Sequence, residues 1–105
     1  MIIEKIRDAK ILPVIALNNA EDAIPLCKAL SDGGLKVAEI TFRTSAAEEA
    51  IRITAREFPE FTLGAGTVTT IEELTAAKNA GAQFALAPGF NPKIVKKSQF
   101  YKFIL

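Results

Sequence analysis

Short apolar runs alternate along this chain with stretches whose apolar residues recur at helical spacing. Residues 11–17, 37–42, 62–65 and 84–87 predict strands. Their starts recur roughly every 22–26 residues, the period of a βα unit. A first helix follows Asn18-Asn19 and stops at Gly33-Gly34, a C-terminal glycine signal. Its stripe is Ala23, Cys27 and Leu30, with Ile24 beside it. An interior proline costs ~3 kcal/mol, so Pro25 predicts that this helix begins late or kinks. The second helix opens on the capping box Ser45-x-x-Glu48, carries Ala47, Ile51, Ala55 and Phe58 on one face, and ends at Pro59. The third opens on Thr70-x-x-Glu73, buries Leu74 and Ala77, and stops at Gly81. A fourth starts at Asn91-Pro92, an N-cap followed by proline at the first helical position.

Strands alternating with helices across short links predict a parallel sheet covered by helices, with right-handed crossovers. Two architectures compete, an open doubly wound sheet and part of a (β/α) barrel. The stretch from Ala38 to Thr44 favours the barrel. Side chains alternate across a strand, so Ala38, Ile40 and Phe42 form an apolar face and Glu39, Thr41 and Arg43 a polar one. The two charges start ~13 Å apart along the strand and so flank a small ligand. A central strand of an open sheet is buried on both faces and reads as continuously apolar. A barrel strand accepts inward polar residues near its C-terminal end, where barrel active sites form. The plainer reading is a surface strand with one wet face.

The 105 residues, half of them apolar, suffice for one modest domain with one core. A net charge of +1, with Lys and Arg spread along the chain, gives no reason to expect nucleic acid as a partner. No apolar run approaches the ~20 residues that span a bilayer, and the start lacks a signal-peptide pattern. No membrane partner and a cytoplasmic location are therefore expected. Cys27 is alone and falls on an apolar helical face, as a small core residue would. The absence of histidine removes His general bases, Ser-His and Cys-His pairs and most zinc sites. Chemistry must rest on carboxylates, amines, hydroxyls and backbone.

Such groups gather at the strand ends. Gly64-Ala65-Gly66-Thr67-Val68 closes the third strand, and its glycines either admit a ligand close to the backbone or permit a tight turn. It lacks the third glycine of a dinucleotide fingerprint. Ala87-Pro88-Gly89-Phe90 closes the fourth strand, and Pro-Gly by itself marks a turn. Glu39, Thr67 and Pro88 fall at the same end of successive parallel strands. In a low-water interior Glu39 should have a raised pKa, which suits a general acid/base, unless it simply pairs with Arg43. Arg43 offers a fork suited to a carboxylate.

Pro13-Val14-Ile15, Glu39-Ile40-Thr41-Phe42-Arg43-Thr44, Gly64-Ala65-Gly66-Thr67-Val68 and the run from Gly81 to Gly89 together resemble the 2-keto-3-deoxy-6-phosphogluconate and 2-keto-4-hydroxyglutarate aldolase family. The resemblance runs from about Ile11 to Lys97, in order. It implies the N-terminal half, about four βα units, of a (β/α)8 TIM barrel of the class I aldolase type. It implies an aldehyde-lyase that needs no metal or other cofactor. A Schiff-base lysine would act on a keto acid and release pyruvate and an aldehyde, in an assembly expected to be a homotrimer. By position, Glu39 resembles the family's proton-shuttling carboxylate. Arg43 and Thr67 resemble the groups that hold the pyruvyl carboxylate, and Pro88 resembles the proline lining the pocket.

The departures from the family also set expectations. The family's Schiff-base lysine and phosphate loops lie in the other half of the barrel, and no lysine here is placed to substitute. Lys10 and Lys36 precede strands, Lys78 is on a helix, and Lys93, Lys96, Lys97 and Lys102 belong to the last helix or tail. The chain alone is therefore expected to be inactive. Residues 98–105 read as an atypical tail of the single partial-barrel domain 1–105, which a shift of reading frame near Lys97 would explain. Two alternatives remain beside the aldolase half. One is a non-catalytic half-barrel module that self-associates through its open strand edges. The other is a truncated gene product.

Overall fold

Each apolar run becomes a parallel strand, and the strands stand side by side in chain order. The computed structural model describes all 105 residues. The elements are α1 (Ile2–Ala9), β1 (Val14–Ile15), a 3₁₀ turn (Ala20–Asp22), α2 (Ala23–Asp32), β2 (Val37–Thr41), α3 (Ala47–Glu57), β3 (Thr62–Gly66), α4 (Ile71–Ala80), β4 (Phe84–Ala85) and α5 (Pro92–Phe100). The sheet order is β1-β2-β3-β4, all parallel. A doubly wound sheet reverses its strand order at a switch point. This sheet does not reverse, and its sequential parallel order is that of a barrel wall.

The two faces of the sheet have different fates. Ile15, Ala38, Ile40, Leu63, Ala65 and Ala85 point toward the helices and join Cys27, Ala50, Ile51, Leu74, Ala77 and Ile94 in one core. Val37, Glu39, Thr41, Thr62, Gly64, Gly66 and Phe84 point the other way. Helix α1 crosses the N-terminal end of this inner face. Its Lys5, Asp8 and Ala9 line an open recess of about 340 Å³ with Lys36, Val37, Glu60 and Thr62.

Several elements differ from the sequence reading. The strand expected over 11–17 pairs only at Val14 and Ile15, because β1 lies at the sheet edge with β2 as its one partner. The polar strand ends at Thr41, so Arg43 lies in the turn that follows. Ser45 caps nothing: α3 begins at Ala47 after Ala46, with no side-chain cap. The hydroxyl of neighbouring Thr44 instead donates to the Leu17 carbonyl and ties the β2 turn to the β1 loop. Helix α1 was not anticipated, although Ile2, Ile6 and Ala9 are its half-buried stripe. Pro25 sits in the first turn of α2, where its missing N–H has no intrahelical partner to lose.

Thr70 is a true cap. Its Oγ1 accepts from the Glu73 N–H at 3.0 Å, and Glu73 Oε1 accepts from the Thr69 N–H at 2.8 Å. Thr70→Ala should cost about 1 kcal/mol, whereas Ser45→Ala should stay within about 0.5 kcal/mol of the parent. Urea titration of the two variants checks this, and equal losses would contradict the capping geometry. Residues 98–105 complete α5 and then bring Ile104 beside Phe84 as a parallel bridge, with the Ala85 N–H donating to the Ile104 carbonyl at 2.8 Å. No helix is long and apolar enough to cross a membrane.

Candidate active site

Glu39 sits in the middle of β2, between Val14 of β1 and Gly64 of β3. It is 6% exposed, an unusual burial for a carboxylate. Its carboxyl lies across Gly66, where a Cβ would fall 2.6 Å from Oε1 and 2.9 Å from Cδ. Any side chain at position 66 would therefore displace it. Glu39 Oε2 is shielded from solvent and has no hydrogen-bond partner. Burial pushes the Glu39 carboxyl above its ordinary range, and the positive charge of Arg43 offsets this only in part.

Arg43 is exposed in the turn after β2, and no ion pair joins it to Glu39. The plainer alternative, direct pairing of the two, is therefore not realised. Arg43 acts on Glu39 through its field and keeps its guanidinium fork free. Thr67 follows β3 directly and is half-buried. Its φ of 55° is left-handed, a conformation that a β-branched residue rarely adopts. Such strain costs about 1–3 kcal/mol and persists only where neighbours impose it. Here the Phe42 N–H donates to the Gly66 carbonyl at 2.8 Å, and the Val68 N–H donates to the Leu86 carbonyl at 3.0 Å. These bonds fix the chain on both sides of Thr67.

Pro88 lies in the exposed loop after β4 and helps line a cavity of about 210 Å³ with Val68, Thr69, Phe90 and Asn91. The fold thus brings Arg43, Thr67 and Pro88 to the C-terminal end of three neighbouring strands, whereas Glu39, expected at that same end, sits in the middle of β2. Glu39 is on the inner face, while Pro88 belongs to a separate recess between the two βα loops.

The sequence reading did not single out two further groups. Thr41 is fully buried one row beyond Glu39, with its own Oγ1 unpartnered. Gly66 provides the bed on which the carboxyl rests. Alternation along β2 had already put Thr41 on the Glu39 face, which was the available signal. None of the nine lysines lies in a strand. Cys27 is buried in the core with Sγ 3.9 Å from Thr54 Oγ1, and burial pushes its thiol up. Nowhere do three or more His, Cys, Asp or Glu side chains converge as metal ligands would. What the arrangement offers is a buried carboxyl with one free oxygen, held so that it takes up a proton more readily than ordinary glutamate.

Comparison with known proteins places the chain and its fold in a lineage. The family model for KDPG and KHG aldolase matches residues 2–105. A 2-dehydro-3-deoxy-phosphogluconate aldolase of Haemophilus influenzae is 54% identical over 102 residues, which cover 97% of this chain and 48% of that protein. The crystal structure of the 2-keto-3-deoxy-6-phosphogluconate aldolase of Zymomonas mobilis with 3-phosphoglycerate superposes with a TM-score of 0.89 at 38% identity, over 97% of this chain and 48% of that one. The KDPG aldolase of Legionella pneumophila, with pyruvate captured as a covalent carbinolamine, gives a TM-score of 0.85 at 38% identity, over 90% of this chain and 46% of that one. The chain spans about half the length of the curated relatives it matches. Its four βα units correspond to the N-terminal half of their TIM barrel. The chain belongs to the KDPG and KHG aldolase family.

Proposed function

We propose that residues 1–105 supply the proton-transfer and carboxylate-binding half of a class I aldolase site. The reaction is retro-aldol cleavage of 2-keto-3-deoxy-6-phosphogluconate to pyruvate and glyceraldehyde 3-phosphate, of 4-hydroxy-2-oxoglutarate to pyruvate and glyoxylate, or of both. The observation that carries this reading is the buried Glu39 carboxyl, with Oε2 free on the inner face. Cleavage of the carbon–carbon bond requires a base to take the aldehyde-side hydroxyl proton and an acid to return a proton to the pyruvyl carbon. A carboxyl with a raised pKa does both near neutrality. Arg43 and the Thr67 turn hold the keto-acid carboxylate, and Pro88 lines the approach. The amine that attacks the keto carbon comes from the second half of the barrel, so this half does not turn over alone.

Mixing the chain with the complementary half of the Haemophilus influenzae relative tests this. Pyruvate and borohydride should then trap one reduced adduct on the added half and none on the nine lysines of this chain. An adduct on this chain would overturn the assignment. In the completed barrel Arg43→Met should raise KM about tenfold or more with a smaller change in kcat, since a charge-assisted hydrogen bond is worth about 1.5–3 kcal/mol.

Val14 and Ile104 favour a second reading. They lie on the two open edges of the sheet and are 58% and 41% exposed. A half-barrel with such edges pairs with another copy of itself without performing chemistry. Light scattering on the chain alone distinguishes the readings, because a defined dimer without keto-acid binding supports the second.

A further inference from the structure

The inner face holds two buried side-chain oxygens without a hydrogen-bond partner, Glu39 Oε2 and Thr41 Oγ1, and no others occur in the chain. Buried polar groups are almost always paired, so two orphans on one face of one strand call for a common explanation. Glu39 and Thr41 are two residues apart, about 6.6 Å along the strand. That separation suits two side chains that meet across one intervening oxygen rather than directly. The two side chains are neighbours over Gly66, where a Cβ would lie 2.6 Å from Glu39 Oε1 and 3.0 Å from the Thr41 methyl Cγ2, so the unpartnered Oε2 and Oγ1 are the outer atoms of adjacent groups. The Thr41 hydroxyl has a proton to donate and lone pairs to accept, and the carboxylate accepts.

We propose that Thr41 is the positioning residue for Glu39, joined to Oε2 through one shared oxygen that holds the carboxyl in register for proton transfer. The oxygen belongs either to water or to the keto acid. The use of this device in catalysis rests on the aldolase reading, whereas the coupling of the two side chains does not. Other groups leave Thr41 as the distinctive local influence. The positions beside Glu39 on the neighbouring strands are Val14 and Gly64, with Phe84 beyond, and none carries charge. Arg43 is the charged group acting on Glu39 from its own segment. Lys5 and Asp8 of α1 line the opposite end of the face with Lys36 and Glu60.

The test is a carbon-13 NMR titration of the Glu39 carboxyl in the 105-residue chain and in Thr41→Val, Thr41→Ala and Thr41→Ser, with and without pyruvate. A hydroxyl linked to the ionised carboxylate favours that form, so its loss should raise the Glu39 midpoint by about one pH unit. Thr41→Ser should restore the parent midpoint. A rise in the absence of pyruvate identifies water as the shared oxygen, and a rise only in its presence identifies the keto acid. Val and Ala remove the hydroxyl with different volumes, so misfolding of one leaves the other readable. Midpoints unchanged under both conditions overturn the proposal. That outcome is distinct from failure of the aldolase reading, which the trapped adduct decides separately.

Discussion

Glu39→Gln should make the protein harder to unfold at neutral pH and, in a completed barrel, cut kcat by about 10²–10⁴. The two effects have one cause. Burial raises the folded-state pKa of Glu39 above its unfolded value, because the ionised carboxylate loses more hydration than the neutral acid does. Such a group contributes its full stability below the unfolded value of about 4.3. The contribution is lost as pH rises through the elevated folded value. Above that folded value the native fold carries a carboxylate that water would hold better, and glutamine removes that charge. Glutamine cannot exchange a proton, so under the proposed aldolase role the chemistry should go with it. Urea midpoints at pH 7 and pH 4 check the stability half. The variant should lead at pH 7, and its lead should shrink at pH 4 as Glu39 of the parent takes up its proton. A variant less stable than the parent at pH 7 would show that the carboxylate is well satisfied in the fold.

Gly64→Ala should destabilise the fold by about 1–3 kcal/mol, against the usual small gain from removing a strand glycine. An added Cβ would stand 2.3 Å from Cε2 and Cζ of Phe84 and 2.7 Å from Cδ2. The ring is 2% exposed, so it has little room to withdraw. The register pairs Gly64 with Phe84 directly, which makes the overlap a property of the sheet itself rather than of a chance rotamer. Shortening the partner should relieve it: Phe84→Leu, harmful in the parent, should cost less in the Gly64→Ala background. A double-mutant cycle reads this as a coupling of about 0.5–3 kcal/mol. Additive effects would mean that the ring moves freely and that the close approach carries no energy.

Much of this was legible in the residues. The alternation of Glu39 and Thr41 with Ala38 and Ile40 separated the two faces of β2 correctly, because burial against helices on one side forces that pattern. Thr70 and Asn91 were readable as helix starts because each satisfies an N–H locally, at 3.0 Å in both cases. Ser45-x-x-Glu48 has the same capping-box form as Thr70-x-x-Glu73 and failed. There the chain spends its hydroxyl one residue earlier, at Thr44, on the distant Leu17 carbonyl. A tertiary bond of that kind leaves no mark in local sequence. Arg43 was placed on the strand face by extending a period of two past Thr41, and nothing in the alternation announces where a strand turns. Helix α1 lacks a side-chain cap at Met1, which removed its clearest start signal, while its stripe of Ile2, Ile6 and Ala9 stayed readable. The free oxygen of Thr41 depends on what does not approach it, and only three-dimensional packing determines that.

Helix α1 has a bearing on traffic through the site. It lies across the end of the inner face where Val37 and Thr62 are buried, opposite the end that carries Arg43, Thr67 and Pro88. A barrel closed from this sheet would carry α1 across the N-terminal end of the space in front of Glu39, which would leave the end bearing Arg43, Thr67 and Pro88 as the approach to the carboxyl.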